Sequence, residues 1–391
     1  MLHDAIEDQN HDGSVPGEIE RRFGRRVREL VEACSDSKGP RKGTWRARKK
    51  RYLRHLGHAR PGAILISAAD KLHNAGAVLA DYRQLGDSDL QVSEICLGTW
   101  TTFGGSLADN AAMALVDAAF EVGINFFDTA NTYSEGRSEE VLGRALAARP
   151  RDSYVLATKV RARAPDGGSG VSRAQVLHQI DQSLDRLGAE FVDLYQCHWW
   201  DDEVPLAETL EAMTEIVEAG KVRYVGCSNW TGEQIQQAID LAREHGYVKI
   251  VSSQPEYSLL HRDPEEEVIP VSKANGISQV VYSPLAQGVL SGKYAPGEPA
   301  SEGTRASARP EWMEYFEDDV LERVQRLGPI ADGLGLTTAQ LALAWILREP
   351  NVASAIVGSS RPEQLRDNAA ASDVDLDQAT MQAAEAALAP M

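Results

Sequence analysis

The sequence predicts an α/β protein, a (β/α)8 TIM barrel preceded by a small all-α segment. Three observations carry that reading. After Gly86, short β-rich runs alternate with amphipathic helical stretches at roughly 30–40 residues per unit. Eight such units follow one another, more than an open doubly wound sheet usually holds. Upstream, residues 17–82 show apolar residues at helical spacing only, with no strand run among them.

In chain order, Ile19, Phe23, Val27, Leu30 and Val31 mark a first helix. Trp45, Tyr52, Leu53 and Leu56 mark a second, and Ala63 to Tyr82 forms a third apolar-rich stretch. The helical piece is placed at residues 1–81 and the barrel at 82–391, opening with a hairpin-like lead from Arg83 to Val92. The barrel strands are expected at Glu94–Leu97, Asn125–Phe127, Tyr154–Thr158, Val192–Cys197, Val222–Cys227, Lys249–Ser252, Gln279–Tyr282 and Ala353–Val357. Between them, helical periodicity covers Asn110–Val122, Ser138–Ala148, Arg173–Leu187, Leu206–Ala219, Gly232–His245 and Asp263–Ala274. The Gly/Pro/Ser-rich stretch Leu285–Pro310 reads as a long functional loop.

Composition narrows the function classes. With 43% hydrophobic and 25% charged residues, the chain has the balance of an ordinary globular protein. No run approaches the roughly 18 uncharged apolar residues of a membrane span, and no basic-then-apolar signal layout opens the chain, so a cytoplasmic protein without membrane attachment is expected. Cys34, Cys96, Cys197 and Cys227 lie far apart without a Cys-x-x-Cys pair, which favours reduced, buried thiols. The net charge of −18 is uneven: residues 1–82 hold 16 Lys+Arg against 11 Asp+Glu, and the rest 24 against 47. So acidic a barrel disfavours nucleic acid. The basic cluster from Arg46 to Arg54 reads as a solvated helix face.

In a barrel of this type the reactive groups project from the C-terminal strand ends. Asp128, Tyr133, Lys159 and His198 meet that test, each following an apolar run on one of three successive strands. The set suits carbonyl reduction. Hydride added to a carbonyl carbon leaves an alkoxide that needs a proton, and Tyr133 can supply it if a neighbouring cation lowers its pKa. Lys159 is the natural cation, Asp128 would hold it, and His198 would donate to the carbonyl oxygen. No second His or carboxylate stands at ligand spacing beside His198, so no metal is expected there. Trp100, Trp199, Trp200 and Trp230 could form an apolar wall for the small carbonyl substrate, and core packing accounts for some of them equally well.

Several stretches resemble the aldo-keto reductase family over about residues 82–388. They are Gly123-Ile124-Asn125-Phe126-Phe127-Asp128-Thr129-Ala130 with Tyr133, Leu142-Gly143, Ala157-Thr158-Lys159, Asp193-Leu194-Tyr195-Gln196 with His198, Gly226-Cys227-Ser228-Asn229, and Tyr282-Ser283-Pro284-Leu285. Leu97-Gly98-Thr99-Trp100, Thr102-Phe103-Gly104-Gly105 and Ser291-Gly292-Lys293-Tyr294 look like the branch that includes the β subunits of voltage-gated potassium channels. This chain keeps His198, where the resemblance implies that those subunits depart, and that favours an active enzyme. The resemblance implies NADPH held at the barrel mouth without a Rossmann domain, and the chain has no G-x-G-x-x-G after a strand. By motif match, Trp100, Ser228, Asn229, Gln254, Tyr282, Ser283, Pro284, Leu285, Gln287, Gly288 and Lys293 would line the nicotinamide and pyrophosphate path. Arg305, Gly358, Ser360, Arg361, Gln364 and Asn368 would surround the adenosine end, with Gln364 where the family often has a basic residue.

A second resemblance lies upstream. His3-Asp4-Ala5-Ile6-Glu7-Asp8, Phe23-Gly24, Ala33-Cys34-Ser35-Asp36 and Ala69-Asp70-Lys71-Leu72-His73-Asn74 look like HD-type metal-dependent phosphohydrolases. That family needs a further His upstream of the His-Asp pair, and none precedes His3 here. A non-catalytic remnant is therefore expected, with phosphohydrolysis through this segment as an alternative and an NADPH-binding regulatory subunit as another.

Overall fold

The computed structural model describes residues 82–160, 168–372 and 374–390. The chain divides into two units, Met1–Leu79 and Ala80–Met391, and the described elements belong to the second. The HD-like motifs and the helices expected upstream lie outside the described residues.

Ten strands are described. β1 (Tyr82–Gln84) and β2 (Gln91–Ser93) form the antiparallel lead hairpin, with Arg83 opposite Val92. The others are β3 (Ile95–Gly98), β4 (Phe126–Asp128), β5 (Val155–Val160), β6 (Val192–Cys197), β7 (Val222–Ser228), β8 (Ile250–Gln254), β9 (Ser278–Val281) and β10 (Val352–Val357). These eight close into a parallel barrel in chain order, with β10 returning to pair β3. The fold is the expected (β/α)8 barrel.

Side-chain alternation builds two cores. Phe126, Val155, Ala157 and Leu194 point into the barrel, where Leu85, Leu90 and Val92 of the hairpin pack with them. Phe127, Leu156, Val160 and Tyr195 point outward against the helix shell. On that parity Asp128, Lys159 and Gln196 fall on the inward side at the C-terminal ends of their strands. Arg83 fixes the hairpin by bonding Glu94 (2.6 Å) and the carbonyls of Leu347 and Val352 (both 2.7 Å).

β8 departs from simple alternation. Val225 pairs Ile250 but Gly226 pairs Ser252, so β8 carries an extra residue there. The bulge turns Ser252 and Gln254 inward. A Cβ on Gly226 would lie 2.2 Å from Ser252 Oγ and 2.9 Å from Ser252 O, so the inward turn needs glycine opposite. Gly226→Ala is expected to destabilise by about 1–3 kcal/mol through overpacking, measurable as a lowered midpoint in denaturant unfolding.

The helices begin where the sequence caps them. Thr231 with Gln234 and Thr337 with Gln340 form reciprocal capping boxes at Gly232–His245 and Thr338–Leu347. The expected helix Asp263–Ala274 is instead a short turn, Asp263–Glu265, followed by Val268–Ala274. Pro270 is the reason: its ring would clash with the carbonyl of residue 266 in a continuous helix. Helices Asp318–Gln325, Gly328–Leu334 and Thr338–Leu347 follow the long loop and precede β10, beyond the helices anticipated from periodicity.

Candidate active site

β4 and β5 are adjacent, with Asp128 opposite Ala157, which brings Asp128 and Lys159 together at the barrel mouth. Lys159 Nζ lies 2.5 Å from Asp128 Oδ1 and donates to the Thr129 carbonyl (2.8 Å) and Tyr133 Oη (3.3 Å). The lysine has no exposure and Asp128 is buried. On the other carboxylate oxygen, Gln254 Nε2 donates to Oδ2 at 3.0 Å and Gln196 Nε2 approaches it at 3.5 Å. His198 stands across from Tyr133, ring centroids 5.8 Å apart and edge to face. Three of the expected four are thus directly bonded and the fourth is their neighbour.

Burial lowers the Lys159 pKa, but the Asp128 carboxylate and the Tyr133 hydroxyl outweigh it, and the ammonium sits above its ordinary value. Tyr133 differs from expectation. Burial raises its pKa, Lys159 lowers it, Asp128 raises it, and the net is upward. The lysine acts in the anticipated direction, but its charge is largely matched by Asp128 2.5 Å away.

Four of the expected cofactor residues form one hydrogen-bonded chain. Tyr282 Oη donates to Asn229 Oδ1 (2.9 Å), and Asn229 Nδ2 donates to Ser228 Oγ (3.0 Å) and the His198 carbonyl (3.2 Å). Ser228 Oγ in turn donates to the Gln254 carbonyl (2.8 Å). Asn229, Ser283 and Gln287 hold positive φ, so the loops after β7 and β9 are strained where they face the mouth. Pro284 is buried in that loop and Leu285 is part-buried. Gly288 has φ +94°, and a Cβ there would meet Lys293 Nζ at 3.0 Å.

Gly358, Ser360, Arg361, Gln364 and Asn368 lie after β10, next to the loops after β9 and β3 by barrel order. Gln364 Oε1 accepts from the Ser360 amide (3.1 Å), while Gly358, Ser360 and Arg361 are exposed. The Asn368 side-chain nitrogen is buried with no hydrogen-bond partner. The Arg305 guanidinium covers the Trp100 ring (5.2 Å) and reaches Thr101 Oγ1 (3.4 Å), in the loop after β3. Burial holds its pKa below the ordinary value, and no carboxylate pairs with it among the described residues. A part-buried cation with no carboxylate partner among the described residues, an orphaned amide and a glycine cradle beside a lysine all fit a phosphate-bearing dinucleotide.

The tryptophans divide. Trp199 and Trp100 are 45% and 40% exposed at the mouth, whereas Trp230 is core and Trp200 packs edge-on against it (5.0 Å). Trp312, on the strap after the long loop, stacks on Trp100 (5.5 Å). Sequence reasoning did not assign Gln196 a site role or foresee the Thr129 carbonyl. The inward parity of β6, two residues before His198, was the available signal for Gln196.

A parallel barrel with a buried Asp-Lys pair bonded to a tyrosine at its C-terminal mouth defines an oxidoreductase-type site. The Aldo/keto reductase family matches residues 94–389, and the chain belongs to that family. Among similar proteins, one named as a voltage-gated potassium channel subunit beta from Arabidopsis thaliana is 38% identical over 299 residues, covering 75% of this chain and 91% of the relative. Another of that name from Oryza sativa subsp. japonica is 37% identical over 300 residues, with the same coverage. One from Schizosaccharomyces pombe is 36% identical over 305 residues, covering 73% and 86%.

Proposed function

We propose that the protein is a cytoplasmic NADPH-dependent reductase of aldehydes or ketones. The observation that carries this is the buried contact of Lys159 with both Asp128 and Tyr133. NADPH, when bound, supplies the hydride. Ser228, Asn229, Gln254 and Tyr282 would hold its nicotinamide, Gly288, Lys293 and Arg305 its phosphates, and Asn368 its adenosine end. Tyr133 donates its proton to the carbonyl oxygen as negative charge develops there, and Lys159 supports the phenolate left behind. Asp128 fixes the ammonium, and His198 orients the carbonyl. A panel of aldehydes and ketones followed by NADPH absorbance tests the proposal, and absence of turnover across the panel would reject it.

The upward shift of Tyr133 sets a pH dependence. A raised pKa keeps the donor form protonated through neutral pH, so kcat/KM for reduction should stay level and fall only above tyrosine's ordinary value of about 10. A pH–rate profile with a descending limb centred below about pH 8 would contradict this.

Arg305 provides a cofactor test. Its place against Trp100 favours the pyrophosphate, which NADPH and NADH share. Arg305→Ala should weaken both by about tenfold to a hundredfold, read by fluorescence titration. Selective loss of NADPH would place the arginine on the 2′-phosphate instead.

The names of the three relatives favour a second reading, in which the chain also assembles with a potassium-channel protein and reports cofactor state to it. Co-purification with a channel from the same cell, lost or kept according to NADPH level, tests that reading.

A further inference from the structure

Tyr133 is carried on a strained turn. Ser134, Glu135 and Gly136 follow it with φ of +50°, +57° and +85°, three consecutive residues in the left-handed region, two of which bear side chains. Backbone in that state persists only where its surroundings over-determine it. The Tyr133 hydroxyl meets Lys159 Nζ at 3.3 Å, a long contact that a small slackening of the turn would break. Whatever holds the turn therefore also places the proton donor.

Three buried hydroxyls tie the two ends of this turn together. Thr99 Oγ1 donates to the Asp128 carbonyl (3.1 Å), Ser138 Oγ donates to Thr99 Oγ1 (2.8 Å), and Thr129 Oγ1 lies 3.2 Å from Ser138 Oγ. None of the three residues has any exposure. A hydroxyl has one hydrogen, and Ser138 has committed its own to Thr99, so Thr129 is the donor in the last contact. The relay thus runs one way, from Thr129 through Ser138 and Thr99 to Asp128. It starts and ends on adjacent residues, and the Asp128 carboxylate and Thr129 carbonyl both accept from Lys159 Nζ. In between it passes through Ser138, the second residue of helix Arg137–Leu146, just beyond the turn.

Two further contacts brace the turn. Asn131 Nδ2 donates to Gln179 Oε1 (2.7 Å) on helix Arg173–Leu187, and both residues are without exposure. The loop after β3 lies against the other end: a Cβ on Gly104 would meet Arg137 Cβ at 2.7 Å and Arg137 C at 2.8 Å. The relay's hydrogen bonds are separate from those that join Ser228, Asn229, Gln254 and Tyr282.

We propose that Thr99, Ser138 and Thr129 are positioning residues whose hydroxyl relay sets the place of Tyr133 relative to Lys159. The proposal rests on the reductase reading. Thr99 and Thr129 act through the strand end that holds the ammonium, and Ser138 acts through the turn that carries the phenol. Displacing a reacting group by about 1 Å costs on the order of a hundredfold in rate, whereas a neutral hydrogen bond lost far from the site costs stability alone.

Paired substitutions test it in the full chain. Thr99→Val keeps the side-chain shape and deletes the hydroxyl, while Thr99→Ser deletes the methyl and keeps the hydroxyl. Thr99→Val and Ser138→Ala should each lower kcat by about tenfold to a hundredfold at unchanged NADPH affinity. The primary isotope effect from NADPH deuterated at the transferred hydrogen should grow in both. Thr99→Ser should stay near wild type in kcat in spite of its lost packing. Ser354→Ala deletes a buried hydroxyl beside the lead hairpin, where Ser354 Oγ donates to the Ser93 carbonyl (2.7 Å), and should lower the denaturation midpoint without changing kcat. A readout without turnover is the NMR signal of Tyr133 in protein labelled with 13C at the oxygen-bearing ring carbon of tyrosine, assigned with Tyr133→Phe. That signal should shift in Thr99→Val and Ser138→Ala and stay in place in Ser354→Ala. If Ser138→Ala does not fold, the Thr99 pair carries the test. Wild-type kcat in Thr99→Val, or a loss in Thr99→Ser as large as in Thr99→Val, would overturn the relay while leaving the reductase reading intact. Loss of NADPH affinity in step with kcat would put the hydroxyls in cofactor binding and overturn it too. Absence of all turnover in the wild type would reject the reductase reading, and the Tyr133 signal would then decide the placement alone.

Discussion

Tyr133→Phe should lower kcat for carbonyl reduction by about 10²- to 10⁴-fold, the range for losing a positioned general acid. The variant deletes one oxygen that bonds Lys159 at 3.3 Å and leaves the Asn229, Ser228 and Tyr282 hydrogen bonds untouched. NADPH affinity should therefore hold while the chemical step fails, and single-turnover kinetics beside a cofactor titration separates the two. Turnover near wild type in Tyr133→Phe would remove this tyrosine from the mechanism.

Lys159→Met should cost both rate and stability. Asp128 and Lys159 are buried together at 2.5 Å, and removing one partner from such a pair leaves an uncompensated charge worth about 3–5 kcal/mol. The protein is expected to show that loss in denaturant unfolding, with carbonyl reduction depressed as in Tyr133→Phe. Adding Asp128→Asn to Lys159→Met should restore most of the stability, because no lone charge remains, while the rate stays low. A single variant with wild-type stability would show that Asp128 does not depend on Lys159 for its burial. A double variant that regains activity would show that the pair has no part in the chemistry.

The barrel and three of its four central side chains were legible because their signals are local. Asn125-Phe126-Phe127-Asp128 alternates as a strand must, and the structure bears out that pattern in β4, with Phe126 inside, Phe127 outside and Asp128 inside. Val155 to Lys159 repeats it in β5. A period of two written in the sequence settles which way a strand-end residue faces, so the sequence alone predicts that Asp128 and Lys159 converge. Tyr133 came from the same motif, two turns of loop away.

Other features depended on residues distant in sequence. The pKa of Tyr133 was expected to fall beside Lys159, yet it rises, because burial and the nearby Asp128 outweigh the lysine. Wall and core were equal readings for the tryptophans, and burial decides between them: Trp230 is core, with Trp200 packed edge-on against it. The Arg305 guanidinium lies over Trp100, more than 200 residues earlier in the chain, a contact that no local pattern announces.

What the sequence by itself determined is the barrel, the order of its strands and the inward set Asp128, Lys159 and His198 with Tyr133 beside them, all products of short-range alternation and motif order. Only the tertiary structure decided the extra residue in β8 that points Gln254 into the mouth, the glycine at 226 that makes room for it, and the strap that carries Trp312 onto Trp100. The reason is physical. Register, burial and charge balance are set by which strand or loop lies alongside, and that is fixed only when the sheet closes on itself.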